Sequence, residues 1–340
     1  MAARSAFMPG NSNGTEEGFS VDWPPEGDPV IVPAWVEEKI PGKDVGLLAA
    51  RSIRRGERII ARTPAIMIDG AAVDGLSVPI FAIMLNDSAS RLPAEHRAQF
   101  FNLSTHYGHD ENKDENDAYK IFATNAFRTG IADGEPDMHS VFRDVSRINH
   151  GCQPNTGYFF DPETLTHNIY AVIDIMQGEE LTVGYIDPIQ THAERKTKLH
   201  RHWGFGCTCA RCAQPPHRVA ESDDRVRSIK SLLGSLDDYT TKEGSSGVGP
   251  AAGELLVLLF ELEGLQGRIH EADYRLALEW NGAGDAMRAT QAARRCLDRG
   301  LLVRGADQAF LTSMRSLVAD PTSHWSWQFR MKKEGEEQSE

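Results

Sequence analysis

Residues 147–155 read RINHGCQPN, and residues 205–212 read FGCTCARC. The second stretch has a CxCxxC arrangement, which supplies three closely spaced thiolates. A structural zinc site takes four ligands in a tetrahedron, so a fourth has to come from elsewhere, and Cys152 in the first stretch is the obvious candidate. The predicted zinc ligands are Cys152, Cys207, Cys209 and Cys212. Clustered cysteines also occur as buried thiols without a metal, so the spacing alone leaves that alternative open.

The length and composition are those of an ordinary globular protein. The chain has 340 residues, of which 40% are hydrophobic and 25% charged, which allows one large domain and a smaller one. No stretch approaches the roughly 18 uncharged apolar residues that are needed to cross a bilayer. The first 30 residues are polar and do not have the basic stretch followed by an apolar stretch that is typical of a signal peptide. We therefore expect a soluble intracellular protein, nuclear, cytoplasmic or both, without a membrane partner. In a reducing compartment a disulfide framework is unexpected, which favours the metal interpretation of the cysteines.

The net charge of -13 restricts the class of partner. Nonspecific binding to duplex nucleic acid is driven by Lys and Arg side chains that neutralise phosphates, so direct nucleic-acid binding is not expected. A basic peptide is a more natural partner for an acidic protein. An acidic surface also serves solubility alone, and this alternative stays open.

The first two thirds of the chain have a β-rich pattern that is interrupted by helices. Residues 1–28 lack periodicity and are predicted to form a disordered arm. Residues 29–215 form the predicted main domain, in which a segment at about 72–122 has apolar residues at helical spacing. Short β-prone pieces precede that insert, and strand-like segments from 141–148 to 180–186 follow it.

The last third has a helical pattern. Residues 216–330 form the predicted C-terminal helical domain, in which apolar segments at helical spacing are separated by Gly-containing breaks. The pair of helices around Asn281 and Gly284 looks like a tetratricopeptide-type hairpin, although no clean second copy follows at a fixed period. Residues 331–340 are predicted to form a disordered tail.

Several motifs in a fixed order resemble the signature of the SET-domain lysine methyltransferases. RINHGCQPN is followed by GEELTVGYID at residues 178–187 and then by CxCxxC. Upstream, PGKDVGLLAARSIRRGERIIARTP at 41–64 looks like the opening segment of the family, and TNAFRTG at 124–130 is similar to the Asn-containing strand that precedes the cofactor motif. The resemblance covers about residues 40–213. It implies an α+β protein with a mostly β SET fold, a helical insert, a post-SET zinc motif at 205–213 and C-terminal helices.

The arrangement most resembles the branch that contains the SET and MYND proteins. In that branch a helical insert splits the SET domain, and helices follow the post-SET zinc. A MYND module would need its own Cys and His ligands between the opening strands and the insert, but no cysteine precedes Cys152. We therefore expect a SET protein of this type without a MYND zinc module.

The resemblance also implies the residues of an S-adenosylmethionine site. Asn149 and His150 would hold the cofactor through backbone and amide hydrogen bonds, and Phe205 would lie beside the adenine. Trp203 matches a position often filled by Tyr or Phe at the channel for the substrate lysine. The implied cofactor-binding residues are Lys43, Val45, Gly46, Asn125, Asn149, His150, Tyr185 and Phe205, and the implied channel residues are Trp203 and Tyr185.

The opening loop departs from the family pattern at Asp44, where the family typically has Gly, and at Val45, where it often has a basic residue. A carboxylate that points at the carboxylate of S-adenosylmethionine would be repelled. We therefore expect either that Asp44 faces solvent or that cofactor affinity is reduced.

The implied reaction explains why an aromatic channel is wanted. A lysine nitrogen attacks the methyl group in line, so it has to be neutral, although an unperturbed ammonium has a pKa of about 10.4. Bringing the neutral form to parity at pH 7 costs about 4.6 kcal/mol. A desolvating channel lowers the lysine pKa because burial disfavours the charged form, and Tyr185 would orient the methyl group and the nitrogen as the catalytic residue.

The predicted function is S-adenosylmethionine-dependent protein-lysine N-methylation of a basic protein or histone tail. One alternative is a binding module that keeps the fold and the zinc but has lost turnover, for which the altered loop at Asp44 is the motivation. Another is an enzyme that uses the same pocket on a small molecule, because a fold does not determine a function.

Overall fold

The structure of the protein, a computed structural model, describes five segments of the chain: residues 33–106, 117–130, 137–240, 248–304 and 309–331. The arm predicted at 1–28 lies outside the described residues, and so does the predicted tail beyond Met331.

Short strands make up the β part of the described segments. They are β1 (Trp35–Lys39), β2 (Val45–Ala49), β3 (Arg58–Arg62), β4 (Ile66–Asp69), β5 (Phe127–Gly130), β6 (Asp137–Val141), β7 (Asn149–His150), β8 (Thr156–Asp161), β9 (Thr166–Ala171) and β10 (Thr182–Val183). β1 pairs antiparallel with β2, and three-stranded antiparallel sheets have the orders β3-β9-β8 and β4-β6-β5.

The pairing of β7 with β10 positions the two central motifs. These strands run parallel, with Asn149 opposite Thr182 and His150 opposite Val183. The RINHGCQPN stretch therefore lies beside the GEELTVGYID stretch. Both are anchored in one buried apolar core, because Ile148 and Val183 belong to it and Tyr185 packs against it.

Residues 141–148 differ from the predicted strand. β6 ends at Val141, and residues Val145–Arg147 form a short 3-10 helix. The reason is the spacing of the apolar side chains: Phe142, Val145 and Ile148 recur every third residue and are all buried, which suits a tight helical turn rather than an alternating strand. The turn ends at Arg147, so that Asn149 follows directly after its C-terminal cap, Ile148.

The helical insert lies between β4 and β5. Its helices in the described residues are α1 (Gly70–Gly75), α2 (Val78–Ser90), α3 (Ala94–Phe101) and α4 (Asp117–Asn125). Phe81, Leu85, Phe100 and Ile121 form an apolar core with Ile66 and Val141 of the neighbouring sheet. This core holds the ends of α3 and α4 against the β part.

A well-capped helix, α5 (His192–Trp203), follows the central motifs. Its N-terminus carries a capping box, in which the Thr191 side chain accepts from the backbone N–H of Glu194 and the Glu194 side chain accepts from that of Thr191. The helix ends at Gly204, whose φ of 72° lies in the left-handed region that favours glycine. A Cβ on Gly204 would also collide with the His106 ring. The chain changes direction sharply at Gly204 and continues with Phe205 and the three cysteines of the CxCxxC stretch.

The remaining helices form the C-terminal part. They are α6 (Pro216–Leu236), α7 (Pro250–Leu262), α8 (Ile269–Gly282), α9 (Ala286–Arg304) and α10 (Ala309–Ala319). Cys296 is buried in an apolar core between α8, α9 and α10. Among the described residues, no helix combines the length and apolar character that crossing a membrane requires. The predicted α+β class is confirmed.

Candidate active site

A cavity of about 300 Å³ opens where the opening loop, the insert, the 3-10 turn and the segment after α5 meet. This volume is at the lower end of the range of small-ligand sites. Of the residues implied by the resemblance, the cavity is lined by Lys43, Val45, Asn125, Asn149, His150, Tyr185, Trp203 and Phe205.

Gly46 lies behind the cavity wall. A Cβ at this position would collide with the side chains of Ile40 and Asn149, so the missing side chain makes room for the Asn149 amide. That amide donates from Nδ2 to the Val45 carbonyl oxygen at 3.3 Å and to Glu180 Oε1 at 3.0 Å.

Lys43 does not present a free ammonium to the cavity. Its Nζ lies 2.5 Å from Glu180 Oε2, in a half-buried ion pair. Glu180 therefore holds two of the expected cofactor-binding residues at once, Lys43 through one oxygen and Asn149 through the other. Glu180 was not among the expected site residues, although it lies in the quoted GEELTVGYID motif next to β10.

Asp44 adopts an uncommon backbone conformation at the edge of the cavity. Its φ is 62°, which is the left-handed region where glycine is favoured and Asp is tolerated better than most residues. The residue is exposed, and its Oδ2 accepts a hydrogen bond from Ser104 Oγ at 3.0 Å. The carboxylate thus faces solvent and also lines the cavity, in contact with the connector that follows α3.

Asn125 is held in the wall of the cavity by hydrogen bonds to the backbone. Its Nδ2 donates to the carbonyl oxygens of Ser104, at 2.9 Å, and Ile121, at 2.8 Å. The amide nitrogen therefore fastens the connector after α3 to the end of α4. Thr124, the first residue of the quoted TNAFRTG stretch, also lines the cavity. Ser104, Thr105 and His106 line it too but had no signal in the sequence, because only the packing of the insert brings them here.

Arg147 is another lining residue that was not among the expected site residues. It is buried, its Nη2 donates to the Asn102 carbonyl oxygen at 2.8 Å, and its Nε lies 3.6 Å from Glu37 Oε1. Its position two residues before Asn149 was the available signal. The cavity therefore has a second cationic side chain besides Lys43.

The His150 ring connects the cavity to the cysteines. Its Nδ1 accepts from the backbone N–H of Tyr185 at 3.1 Å, and its Nε2 lies 3.3 Å from Cys152 Sγ. Since Nδ1 is an acceptor, the neutral ring carries its proton on Nε2, toward the sulfur. Burial lowers the pKa of His150 to about 4, which keeps the ring neutral.

Tyr185 is fixed in the centre of the site. Its hydroxyl donates to the Ile148 carbonyl oxygen at 2.9 Å, and its ring centre lies 5.3 Å from that of Trp203. Burial, reinforced by the negative charge of Glu180, raises the pKa of the Tyr185 hydroxyl well above its ordinary value. The side chain is therefore a protonated phenol rather than a phenolate base near neutral pH.

A second cavity, of about 210 Å³, shares Tyr185 and Trp203 with the first. Its other walls include Phe127 and Tyr158. Trp203 is held by a hydrogen bond from Nε1 to the Thr124 carbonyl oxygen at 3.2 Å. Two aromatic side chains thus line both the larger cavity and a smaller, aromatic-walled one.

The four predicted metal ligands come together beside the larger cavity. Their sulfur atoms all lie within 4.8 Å of one another, and Cys152 Sγ is 3.9 Å from Cys207 Sγ and 3.5 Å from Cys212 Sγ. A tetrahedron with Zn–S distances of about 2.3 Å has sulfurs about 3.8 Å apart, so the donor set fits a zinc ion. Cys207 also lines the cavity, so the cluster supports the wall that contains Phe205.

Part of this chain is similar to known proteins. The family model of the SET domain matches residues 44–186. The chain carries a SET domain. The SET domain predicted from the ordered motifs is confirmed for these residues.

Relatives of the SET-domain chain include histone-lysine methyltransferases of fungi and mammals. The histone-lysine N-methyltransferase set5 of Schizosaccharomyces pombe is 29% identical over 188 residues, which are 55% of this chain and 53% of that protein. Human histone-lysine N-methyltransferase SMYD3 is 27% identical over 191 residues, 53% of this chain and 44% of that protein. SET5 of Scheffersomyces stipitis is 34% identical over 111 residues, 31% of this chain and 23% of that protein. The matches therefore span about half or less of these relatives.

Proposed function

We propose that the chain is an S-adenosylmethionine-dependent protein-lysine N-methyltransferase that acts on a basic protein or a histone tail. The observation that carries the proposal is the position of Tyr185 and Trp203, which line both the larger cavity and the smaller aromatic one. One cavity suits a cofactor and the other a lysine side chain. The names of the relatives, which are histone-lysine methyltransferases, support the same activity.

In this proposal the larger cavity holds S-adenosylmethionine, which would supply an electrophilic methyl group. Asn149 and His150 hold the cofactor on one side, Phe205 covers the adenine, and Lys43, Val45 and Asn125 complete the walls. Arg147 is a second cation for the carboxylate of the cofactor, because its pairing with Glu37, at 3.6 Å, is looser than that of Lys43 with Glu180, at 2.5 Å. The preformed hydrogen bonds of Asn149 and Asn125 reduce the ordering that binding would otherwise require.

The smaller cavity prepares the lysine nitrogen. Its aromatic walls replace water and disfavour the ammonium form, which addresses the cost of about 4.6 kcal/mol for a neutral amine at pH 7. The Tyr185 hydroxyl donates its proton to the Ile148 carbonyl oxygen, so its oxygen remains able to accept a hydrogen bond from the amine N–H. Tyr185 then orients the nitrogen lone pair, which is a positioning contribution to catalysis.

We propose further that Cys152, Cys207, Cys209 and Cys212 bind one zinc ion. The sulfur separations and the donor set support zinc, and no step of the chemistry runs through it. The metal would tie the segment after β7 to the segment after α5, so that metal binding and folding of the cavity wall are coupled.

A binding module without turnover is the second candidate. It is favoured by the electrostatics of the opening loop, where the charge of Lys43 is neutralised by Glu180 and Asp44 places a carboxylate at the edge of the cavity. Both features weaken the attraction for an anionic group of the cofactor. The site of action in either case is the nucleus or the cytoplasm, as the histone substrates named for the relatives suggest.

The test is incubation of the purified chain with radiolabelled S-adenosylmethionine and core histones, and separately with a total cell extract. Label in a protein band, lost with Tyr185→Phe, supports the methyltransferase. Cofactor binding without label transfer supports the binding module. Label in small molecules alone supports a small-molecule enzyme and overturns the main proposal.

A further inference from the structure

Glu263, directly after α7, has a fully buried carboxylate with three donors. Arg211 Nη2 lies 2.5 Å from Oε2, Ser222 Oγ lies 2.7 Å from the same oxygen, and Arg225 Nε lies 2.5 Å from Oε1. The side chains of Arg211 and Glu263 are each 1% exposed. A buried pair of this kind is a poor source of stability compared with apolar packing, but breaking it leaves an uncompensated charge.

Arg211 belongs to the cysteine cluster. It stands between Cys209 and Cys212, and besides Glu263 it donates from Nη1 to the Pro188 carbonyl oxygen at 3.0 Å. The backbone of this loop also turns tightly, since the N–H of Cys212 donates to the Cys209 carbonyl oxygen at 2.9 Å. Three of the four thiolates are therefore on a loop that is fastened to the C-terminal helices through Arg211.

The segment of the fourth thiolate reaches the same corner. Gln153 follows Cys152, and its Nε2 donates to the carbonyl oxygen of Glu263 at 2.8 Å. Gly264, with a φ of 63°, makes room for this contact, because a Cβ there would lie 2.8 Å from Gln153 Nε2. Both segments that supply thiolates are thus held by Glu263, one by its side chain and the other by its backbone.

We propose that Glu263 is a positioning residue for the four-thiolate site, and that the C-terminal helices thereby hold the metal ligands in place. The inference rests on the proposed zinc site. Groups around the ligands typically set their orientation, and losing one lowers metal affinity by about 10–100-fold. Because Cys207 also lines the larger cavity, a less ordered cysteine cluster would also disturb the wall of that cavity.

The experiment measures zinc release from the purified chain into an excess of a coloured chelator, under conditions where the chain stays folded. Glu263→Gln removes the charge that Arg211 and Arg225 share and should release zinc about tenfold faster than the parent. Glu263→Asp keeps the charge and should restore much of the slow release.

Glu279 offers a matched control. Its side chain is as buried as that of Glu263, at 1% exposure, and it pairs with Arg330 at 2.6 Å in the same helical part. It accepts a further bond from the backbone N–H of Gly249 at 2.8 Å. Glu279→Gln should lower the melting temperature by a similar amount but leave zinc release unchanged, which separates positioning from general loss of stability.

Gln153→Ala is a milder variant that introduces no buried charge. It decides the matter if Glu263→Gln does not fold, and it should also speed zinc release. If Glu263→Gln folds, release at the parent rate from both Glu263→Gln and Gln153→Ala would overturn the inference; if it does not fold, release at the parent rate from Gln153→Ala alone would do so. Equal acceleration of zinc release by Glu279→Gln would also overturn the inference. None of these results would contradict the zinc site itself. A parent protein without zinc would overturn both the proposed zinc site and the positioning role of Glu263. Zinc retention without methylation would count against the proposed methyltransferase activity alone.

Discussion

Lys43 and Glu180 form an ion pair at 2.5 Å although 137 positions separate them in the chain. The other oxygen of the same carboxylate accepts from Asn149 Nδ2. One acidic residue therefore sets the position of a cation and an amide that both line the larger cavity, and several consequences can be measured.

Glu180→Ala removes both contacts. We expect cofactor binding to weaken roughly fivefold, because the two lost contacts that position Asn149 and Lys43 are each about 1 kcal/mol, whereas the freed charge of Lys43 returns only about 1 kcal/mol. Calorimetric titration with S-adenosylmethionine measures the change. Glu57→Ala, which breaks a surface pair with Arg51 at the same 2.5 Å, is the control and should leave cofactor affinity as in the parent.

Asp44→Asn tests the charge at the edge of the cavity. Asn tolerates the left-handed φ and keeps an oxygen that can accept from Ser104, so only the charge is lost. We expect S-adenosylmethionine to bind up to about fivefold more tightly, because a charge repulsion at the protein surface is about 1 kcal/mol. Unchanged or weaker binding in titrations at low salt would mean that the carboxylate does not oppose the cofactor.

Tyr185→Phe keeps the ring and removes the hydroxyl. We expect kcat and kcat/KM to fall together with cofactor affinity unchanged, because the lost interaction acts on the reacting nitrogen. The free energy of unfolding should also drop by about 1 kcal/mol, since the Ile148 carbonyl oxygen loses its donor. Steady-state kinetics and urea unfolding give the two values, and turnover at the parent rate would assign Tyr185 a structural role only.

Cys209→Ser should remove most of the zinc. The substitution replaces one of four thiolates by a hydroxyl, which is a far weaker zinc ligand. Metal analysis of the purified chain should find about one zinc in the parent and little in the variant. Cys296→Ser is the control, since Cys296 is buried among the C-terminal helices away from the cluster; its zinc content should match the parent. A folded, metal-free parent would contradict the site.

Glu194 predicts a dependence of stability on pH. Hydrogen bonds from the Thr191 backbone and from Lys230 lower its pKa to about 2 from an ordinary 4.5. Because the folded value is the lower one, the stabilisation is fully present above pH 4.5 and is lost as the pH falls toward 2. Glu194→Gln should therefore reduce the free energy of unfolding by about 0.5–1 kcal/mol at pH 7 and by less at pH 3, in urea unfolding. An equal deficit at both pH values would contradict this.

Local patterns were sufficient for most of the secondary structure. In α5 the capping box at Thr191 and the glycine after Trp203 are local features that define the two ends of the helix. The segment at 141–148 was predicted wrongly as a strand, because β-prone residue types were weighed above the three-residue spacing of Phe142, Val145 and Ile148. The spacing of the apolar residues is the better predictor of secondary structure in such a segment, since the buried side chains have to lie on one face of the backbone.

The sequence by itself determined the resemblance to SET domains, the α+β class that this resemblance implies, and the cysteines that could bind a metal. The motifs and the cysteines are residue types at short, fixed spacings, which a sequence shows directly. Only the tertiary structure decided that Glu180 holds Lys43 and Asn149, that Ser104 meets Asp44, and that Glu263 fastens both thiolate segments. Each of these contacts joins segments that are distant in the chain. Side-chain partners across such separations depend on how helices and sheets pack, and no local pattern of residues encodes that packing.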